Sequence, residues 1–330
     1  MPAPPPFHPA FLDPAAADVR TAWAALLERS EQRTPFSTLA YAETAAGAFG
    51  LRVRLAAAED ADGDLAAGVV VFERRRGPYR TVVVPPQTPY TPFVLAEPLR
   101  EAEINARRSA LDALLPLLDR AYHALAFHLH PSSEDVRPFT WAGYTARPRY
   151  THRDELAAPD GLLARASKAV RKGLRRDADA YVLREDPAAL PALAALLDRV
   201  FERQEEAPPL DRATRAALIE PLFRAGLARL FTATPAGGEP EGALVVLSDG
   251  HSAHHWIGGS APGPAMTLLT HHARGVLHAE GVCHFDFGGA NLPSVAEFKR
   301  RFGAPLVRYV RVERVRRPEL RALALVRPFL

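Results

Sequence analysis

Hydrophobic positions recur along the chain with the periods of amphipathic helices and buried strands. Six prolines within residues 1–15 predict a poorly ordered lead-in, and the proline-rich loop 85–92 is unsuited to a strand interior. The patterns of the first half predict, in order, helices over 18–30 and 36–49, strands over 51–57, 65–72 and 81–84, a helix over 101–123, a strand over 125–129, a helical piece over 133–142 and a strand over 145–153.

The second half shows the same order of elements after an inserted helical region. Asp249-Gly250 is a strong hairpin signal between two of its strands. The patterns predict helices over 160–176, 187–206 and 211–226, strands over 228–234, 243–248 and 251–257, a helix over 264–280, a strand over 282–287, a helix over 293–301 and a strand over 305–314.

The two series indicate a tandem repeat of one α/β unit, with a lead-in over 1–15 and units over 16–154 and 155–330. Lys299 of the second unit falls opposite Thr140 of the first, so we expect the second unit to be the working copy and the first to be degenerate or structural. An ungapped overlay of 136–150 on 295–309 matches Val136 with Val295, Phe139 with Phe298, Arg149 with Arg308 and Tyr150 with Tyr309.

Composition excludes several classes of protein. The 330 residues are 48% hydrophobic and 24% charged, which is typical of a folded chain and not of a disordered one. No run of about 18 apolar residues predicts a membrane span, and the first residues lack the basic and apolar regions of a signal peptide, so we expect a cytoplasmic protein. The single cysteine, Cys283, excludes an intrachain disulfide and a cysteine-based zinc site.

Lysine is scarce, which makes each lysine a candidate for function. Of 41 basic residues only three are lysines: Lys168, Lys172 and Lys299. Arginine does not replace an ammonium point charge in geometry, hydration or pKa. Each lysine that remains in this arginine-rich chain therefore has a specific role or has remained by chance.

A glycine pair follows the predicted strand 282–287, and Lys299 lies on the short helix after it. Strand alternation separates Asp286 from the apolar face that carries Cys283, and Gly288 and Gly289 permit a close approach of backbone. Such a strand end opens a ligand crevice, where a lysine stabilises negative charge on a carbonyl oxygen. The alternative is a solvated lysine on a basic helix.

The helix over 160–176 carries a basic stripe opposite an apolar one. Lys168 and Lys172 share its basic side, and no acidic residue occurs between Arg165 and Arg176. The stripe favours a phosphate-rich ligand such as a nucleotide-sugar, CoA or RNA, or it is simply a solvated face. No partner helix with helix-turn-helix spacing accompanies it, which argues against DNA as a partner.

Two further segments of the second unit could line a site. His254 and Trp256 share one face of the strand 251–257, and we consider both as substrate-lining residues. The histidine spacings match no zinc pattern, so we expect no metal. The next segment opens a helix and could cradle a pyrophosphate, although Pro262 and Pro264 each remove a donor; its candidate binding residues are Gly258, Gly259 and Gly263.

The second half resembles Fem-type transferases, which are tandem GNAT-fold proteins, and their uncharacterised acetyltransferase-like relatives. The resemblance is carried by R-A-S-K-A-V-R-K-G-L-R-R, by A-L-V-V-L-S-D-G-H and by F-D-F-G-G followed by F-K-R-R-F-G; the first half matches in its order of elements and its P-P-Q-T-P-Y loop. It implies an α/β fold of two GNAT-like units, each a mixed twisted sheet flanked by helices, with a cleft between them.

The resemblance also implies acyl or aminoacyl transfer from an activated donor to an amine of an envelope or polysaccharide precursor. Phe298 and Lys299 would then stabilise the tetrahedral intermediate, with Asp286 or His254 as the candidate base. The resemblance further places phosphate groups on the basic helix and the acceptor in the cleft; the residues concerned are Lys168, Arg171 and Lys172 for phosphate, and Gln87, Thr88 and Tyr90 for the acceptor.

The donor is less defined than the reaction. The segment Ser260–Ala265 lacks the basic or amide residue that begins the pyrophosphate loop of CoA-dependent GNAT proteins, which argues against acyl-CoA, and the coiled-coil arm of some relatives that use aminoacyl-tRNA is missing. The alternative function is a catalytically inactive protein that binds a nucleotide-linked or RNA ligand on the basic helix. A plain RNA-binding module is a third interpretation.

Overall fold

The protein is described here from a computed structural model that covers residues 7–97, 104–317 and 319–320, without the side chains of 104–108. The start of the predicted helix 101–123 and residues 1–6 of the lead-in lie outside the described residues. Within the described part of the chain, no helix is both long enough and apolar enough to cross a membrane.

The first series of elements follows the predicted order and adds two short strands that the pattern does not predict, His8–Leu12 and Phe93–Leu95. It contains β1 (His8–Leu12), α1 (Ala17–Glu28), a short 3-10 helix (Pro35–Ser37), α2 (Leu39–Phe49), β2 (Arg52–Glu59), β3 (Leu65–Arg76), β4 (Tyr79–Val82), β5 (Phe93–Leu95), α3 (Ile104–Ala121), β6 (Ala124–His128), α4 (Arg137–Trp141) and β7 (Thr145–Glu155).

The second series adds one strand that the hydrophobic pattern does not predict, β8. It contains α5 (Pro159–Arg165), α6 (Lys168–Asp177), a 3-10 turn (Ala178–Ala180), β8 (Tyr181–Glu185), a 3-10 turn (Pro187–Ala189), α7 (Leu190–Gln204), α8 (Arg212–Arg224), β9 (Ala228–Pro235), β10 (Gly242–Ser248), β11 (Ser252–Ser260), α9 (Ala265–Ala279), β12 (His284–Asp286), α10 (Pro293–Arg300) and β13 (Leu306–Val315).

The lead-in is not disordered over its described residues. His8–Leu12 forms the edge strand β1, which pairs antiparallel with β2 from His8↔Glu59 to Leu12↔Leu55. An edge strand tolerates Pro9 because its missing N–H group can face away from the partner. Phe11 packs edge-to-face on Tyr122, and this contact gives the strand an apolar anchor.

The described residues form two compact units, one within 1–149 and 308–320 and the other within 150–307. The sheet of the first unit has the order β1-β2-β3-β4-β6-β13, with β5 beside β3, and the sheet of the second has the order β7-β12-β11-β10-β9-β8. The last strand of each series thus joins the sheet of the other unit: β13 pairs with β6, and β7 pairs with β12. The boundaries predicted from periodicity, 16–154 and 155–330, do not include this exchange. Periodicity identifies a strand but not the strand with which it pairs.

The core of the second unit contains a buried ion pair. The side chains of Asp154 and Arg274 form an ion pair, and both are fully buried. Arg165 binds the same Asp154 carboxylate at 2.6 Å. The Arg274 guanidinium lies 5.2 Å from the ring centroid of Phe287 and 5.9 Å from that of Phe302. Burial lowers the pKa of Arg274 to about 10, against the opposing effect of Asp154. This cluster fixes β7, α9 and β12 around one point.

Candidate functional site

The parallel strands β11 and β12 separate at the centre of the second unit. They pair only from Ser252↔His284 to His254↔Asp286, while β11 continues to Ser260. Beyond Asp286 the chain turns away through Gly288 and Gly289. The carboxyl end of a parallel strand pair that separates in this way opens a crevice for a ligand.

The edge of this crevice carries a β-bulge. Val246 pairs with His255 and Val245 pairs with Ile257, so Trp256 has no opposite residue on β10. Bulges are over-represented beside active sites because they redirect side chains and backbone groups. The pattern of the sequence does not show the bulge, since Trp256 fits an apolar strand position equally well.

Lys299 lies against the turn that follows β12. Its side chain is buried, and its Nζ donates to the carbonyl oxygens of Gly288 and of Gly289, the latter at 2.7 Å. An ammonium group has three N–H donors, so one remains for a ligand atom. Burial lowers the pKa of Lys299 to about 8, although the nearby Asp286 carboxylate acts in the opposite direction. The lysine is therefore charged at neutral pH and held in place.

Asp286 holds the same turn from the other side. Its Oδ1 accepts hydrogen bonds from Thr151 Oγ1 at 2.6 Å and from the backbone N–H of Gly288 at 2.7 Å. The carboxylate is almost fully buried. In this arrangement Asp286 positions the glycine turn and supports the charge of Lys299.

Gly288 occupies a position that only glycine fits. Its φ is +68°, and a Cβ atom there would lie 2.9 Å from the carbonyl oxygen of His255. The backbone of the turn thus touches the backbone of β11 where the two strands part. Positive φ and this contact together require a residue without a side chain.

We expect Gly288→Ala to reduce any activity that depends on Lys299 at least about tenfold, because the turn that presents its carbonyl group to Lys299 must move. Gly281→Ala is the matched control: its φ is +88°, but nothing lies within 4 Å of its Cβ position. Initial rates of both variants measure the effect. Equal rates in the two variants would show that strain alone, and not the turn's position, matters.

A cleft of about 250 Å³ lies beside α10, at the N-terminus of α9. Phe298, the neighbour of Lys299, lines it together with the first turn of α9. The cleft therefore lies near free N–H groups of a helix N-terminus, which favour anions. Its lining residues are Ala169, Val170, Gly173, Leu174, Arg176, Asp177, Gly263, Pro264, Thr267, Leu268, Phe298 and Arg301.

The three glycines considered for a pyrophosphate lie in different surroundings. Gly263 lines the cleft. A Cβ on Gly258 would meet Met266 and Leu244 side chains, at 3.0 and 3.3 Å, and one on Gly259 would meet the Leu197 backbone nitrogen at 2.9 Å. Gly258 and Gly259 thus serve the packing of β11 between helices, and only Gly263 borders the open space.

The basic helix α6 presents two lysines to solvent. Lys168 and Lys172 are exposed, and no acidic side chain of the described residues lies within ion-pair distance of either. Arg171 instead donates to the carbonyl oxygens of Ala166 at 2.6 Å and Ala164 at 3.3 Å, so it caps the preceding helix. The predicted single helix over 160–176 is divided there because Ser167 caps α6 by accepting from the N–H of Val170.

The histidines of β11 lie on either side of the strand separation. His254 is almost fully buried, and burial lowers its pKa. His255, which the sequence analysis did not select, has a pKa lowered to about 3 by burial and by the charge of Lys299. Both imidazoles are therefore neutral at pH 7. The backbone of His255 lies at the glycine turn, since its carbonyl oxygen would be 2.9 Å from a Cβ atom on Gly288.

The residues predicted to line an acceptor cleft lie in a tightly packed loop of the first unit. Gln87 has a φ of +58°, and its carbonyl oxygen accepts from Tyr41 Oη at 3.2 Å. Thr88 is buried and lies 2.8 Å from the same Tyr41 Oη, and Tyr90 is buried. Their participation in acceptor binding stays a prediction.

The first unit lacks an open strand separation at the corresponding place. After two parallel pairs, Thr81↔Ala124 and Val82↔Leu125, the loop 85–92 returns to the end of β6. There the Thr91 N–H donates to the His128 carbonyl and the His128 N–H donates to Thr91 Oγ1, both at 2.8 Å. Thr140, which the repeat places opposite Lys299, is exposed.

No cluster of three or more potential metal ligands occurs among the residues that the structure describes.

Comparison with known proteins supports a GNAT architecture. A family model described as an acetyltransferase (GNAT) domain matches residues 164–300. The fold is similar to that of FemX, with 13% identity, a TM-score of 0.71, and coverage of 92% of this chain and 96% of that one. No curated protein sequence matches the chain closely enough to count as a relative.

Two further solved structures share the fold. One is the C-terminal domain of a putative lysylphosphatidylglycerol synthetase from Agrobacterium fabrum, with 14% identity, a TM-score of 0.58, and coverage of 94% and 95% of the two chains. The other is a tandem GNAT protein from the clavulanic acid biosynthesis pathway, with 15% identity, a TM-score of 0.53, and coverage of 95% and 99%. Residues 164–300 thus match the GNAT acetyltransferase domain model, and the whole chain has a fold similar to those of FemX and the tandem GNAT protein.

Proposed function

We propose that the second unit transfers an acyl or aminoacyl group from a phosphate-bearing donor to an amine. The observation that carries this proposal is the buried Lys299 ammonium at the point where β11 and β12 separate, with two N–H groups bound to the glycine turn and a third available. A charged donor held in a partly desolvated site is suited to stabilise an oxyanion.

The proposed step forms one bond and breaks another. The amine nitrogen attacks the carbonyl carbon of the donor, and the carbonyl oxygen, now negative, accepts a hydrogen bond from Lys299. The bond from carbon to the thiol sulfur or ester oxygen of the donor then breaks, and the proton lost by the amine balances the charge of the leaving group. Gly288 and Asp286 position the lysine for this step.

The cleft beside α10 supports a donor that carries phosphate. Free N–H groups at the start of α9 favour an anion, and Gly263 leaves space there. Exposed Lys168 and Lys172 lie one helical turn apart on α6, which also lines the cleft through Gly173 and Arg176. A ligand with phosphates inside the cleft can therefore extend along α6.

These lysines distinguish a polyanionic donor from a compact one. If the donor is an aminoacyl-tRNA, we expect the Lys168→Glu, Lys172→Glu double variant to weaken its binding and to reduce the slope of log K against log salt concentration by about 2. The Arg199→Glu, Arg224→Glu double variant changes exposed residues of α7 and α8 outside the cleft, and it is the control for the change in net charge. An unchanged slope in the double variant would contradict a donor on α6.

The proposed function is tested by supplying donors and amines directly. The protein is incubated with acetyl-CoA, a long-chain acyl-CoA or an aminoacyl-tRNA, together with a panel of amines such as glucosamine, lysine and ethanolamine. We expect amide formation that depends on enzyme and on Lys299. Thermal shift titration with each donor provides a separate binding readout, since a ligand selective for the folded state raises the melting temperature.

The alternative is a protein that binds such a ligand without turnover. The two hydrogen bonds from Lys299 to the carbonyl groups of Gly288 and Gly289 also favour this alternative, because a lysine bound in this way stabilises a turn. It predicts donor binding that is sensitive to salt and to Lys168, with no amide formed by any donor and amine of the panel.

A further inference from the structure

A second group of side chains, in the first unit, has unfilled bonding capacity. It consists of His128 on β6, Arg311 on β13 and Arg149 on β7. Arg311 lies opposite His128 in the β13–β6 ladder. The neighbouring residues Phe127, Val310 and Val312 are in the apolar core, so His128 and Arg311 lie on the other face of the sheet.

Arg149 lies on that same face. Arg147, two residues before it on β7, pairs with Glu313 at 3.3 Å, and Glu313 is two residues after Arg311 on β13. The alternation of strand side chains therefore places Arg149 beside Arg311. Both guanidinium groups lower the pKa of His128, which indicates that their charges act on the ring.

The tautomer of His128 is fixed by a backbone carbonyl. Its Nδ1 lies 3.0 Å from the carbonyl oxygen of Pro89. A carbonyl oxygen only accepts, so Nδ1 carries the hydrogen and Nε2 presents a lone pair. Burial and the two arginines lower the pKa of the ring to about 3, which keeps it neutral at physiological pH.

The Nε2 lone pair of His128 accepts no hydrogen bond from the described residues. The His128 side chain is about nine-tenths buried, and no donor of the described residues lies within hydrogen-bond distance of Nε2. A buried acceptor left without a donor is costly and rare, and it requires an explanation.

The arginines beside it retain donors as well. Arg149 is half-buried and has no acidic partner among the residues that the structure describes, and Arg311 uses its Nε for Glu313 at 2.9 Å. Two positive charges and a neutral acceptor thus meet on one face. A cationic ligand is disfavoured there, whereas an anion that also carries a hydroxyl group satisfies all three side chains.

We propose that His128, Arg149 and Arg311 bind a small hydroxylated anion, with its phosphate or carboxylate on the two arginines and its hydroxyl group donating to His128 Nε2. The proposed acyl transfer assigns no role to this site, so a failure of either proposal leaves the other unaffected.

The experiment uses two pairs of probes with the full chain. Glycerol 3-phosphate is compared with propyl phosphate, and lactate with propionate, by calorimetric titration; each second member lacks the hydroxyl group. We expect at least one hydroxylated probe to bind about tenfold or more tightly than its partner, because a hydroxyl–imidazole hydrogen bond is made only by the former. The pair that binds identifies phosphate or carboxylate as the anion.

Variants separate this site from general attraction of anions. Arg149→Gln and Arg311→Gln should each weaken the bound probe about tenfold or more. Arg147→Gln should leave its affinity unchanged, since Arg147 is exposed and paired with Glu313. His128→Phe should remove the preference for the hydroxyl group; if it does not fold, the arginine variants still decide. Absence of binding by all four probes, equal affinity within each pair, or wild-type affinity in Arg149→Gln would overturn the proposal.

Discussion

We expect Lys299→Met to lower the rate of the proposed acyl transfer by about two to three orders of magnitude without unfolding the protein, because it removes the donor for the developing oxyanion. Methionine has a similar volume and adds no charge to a buried position. The rate is measured with the donor and amine identified by the panel, and circular dichroism reports folding. A rate within threefold of wild type would remove Lys299 from the mechanism.

The same residue predicts the pH dependence of the wild-type reaction. The pKa of Lys299 is lowered to about 8, and the ammonium form is the one that donates, so activity is present below this value and falls as pH rises through it. Lys299→Arg keeps its charge to higher pH. Its residual activity should therefore lack the fall near pH 8. If the fall persists in this variant, another group controls it.

The second large effect concerns stability. Asp154→Ala leaves Arg274 charged, fully buried and unpaired, and we expect a loss of about 3–5 kcal/mol in the free energy of unfolding of the second unit. Hydrogen exchange of the β10 amides measures the loss within that unit alone. Asp177→Ala, which breaks an ion pair with the largely exposed Arg176, is the control and should change little.

A double variant distinguishes the cost of an unpaired charge from loss of packing. Replacing both partners, as Asp154→Leu with Arg274→Met, removes the buried charges together and should restore much of the lost stability. If the double variant is as unstable as Asp154→Ala, the packing of the two side chains, and not the cost of an unpaired buried charge, accounts for the loss of stability.

The order of elements follows from sequence because it depends on local periodicity. Lys299 could be selected because it is one of three lysines, and the glycine turn because two glycines end a strand. The buried ion pair could not be predicted: Asp154 and Arg274 are 120 residues apart, and neither strand nor helix patterns connect them. His128 also carries no local signal, since its unfilled acceptor depends on Pro89 and on burial.

β1 and β8 escaped prediction for different reasons. β1 lies in a segment dominated by proline, where an edge position makes pairing possible. β8 is short, with Val182 exposed, and it pairs only with β9 at the end of its sheet. A weak pattern of this kind becomes a strand only when a neighbouring strand offers free N–H and C=O groups.

The pairing of β13 with β6 also sets the order in which the two units can be completed during synthesis. Domains commonly fold from the N-terminus as they leave the ribosome. Here the sheet of the first unit needs residues 308–315, whereas everything in the second unit lies within 150–307. The edge of β6 therefore stays unpaired until β13 has been synthesised. The second unit, although it is made later, is the first whose sheet can be completed.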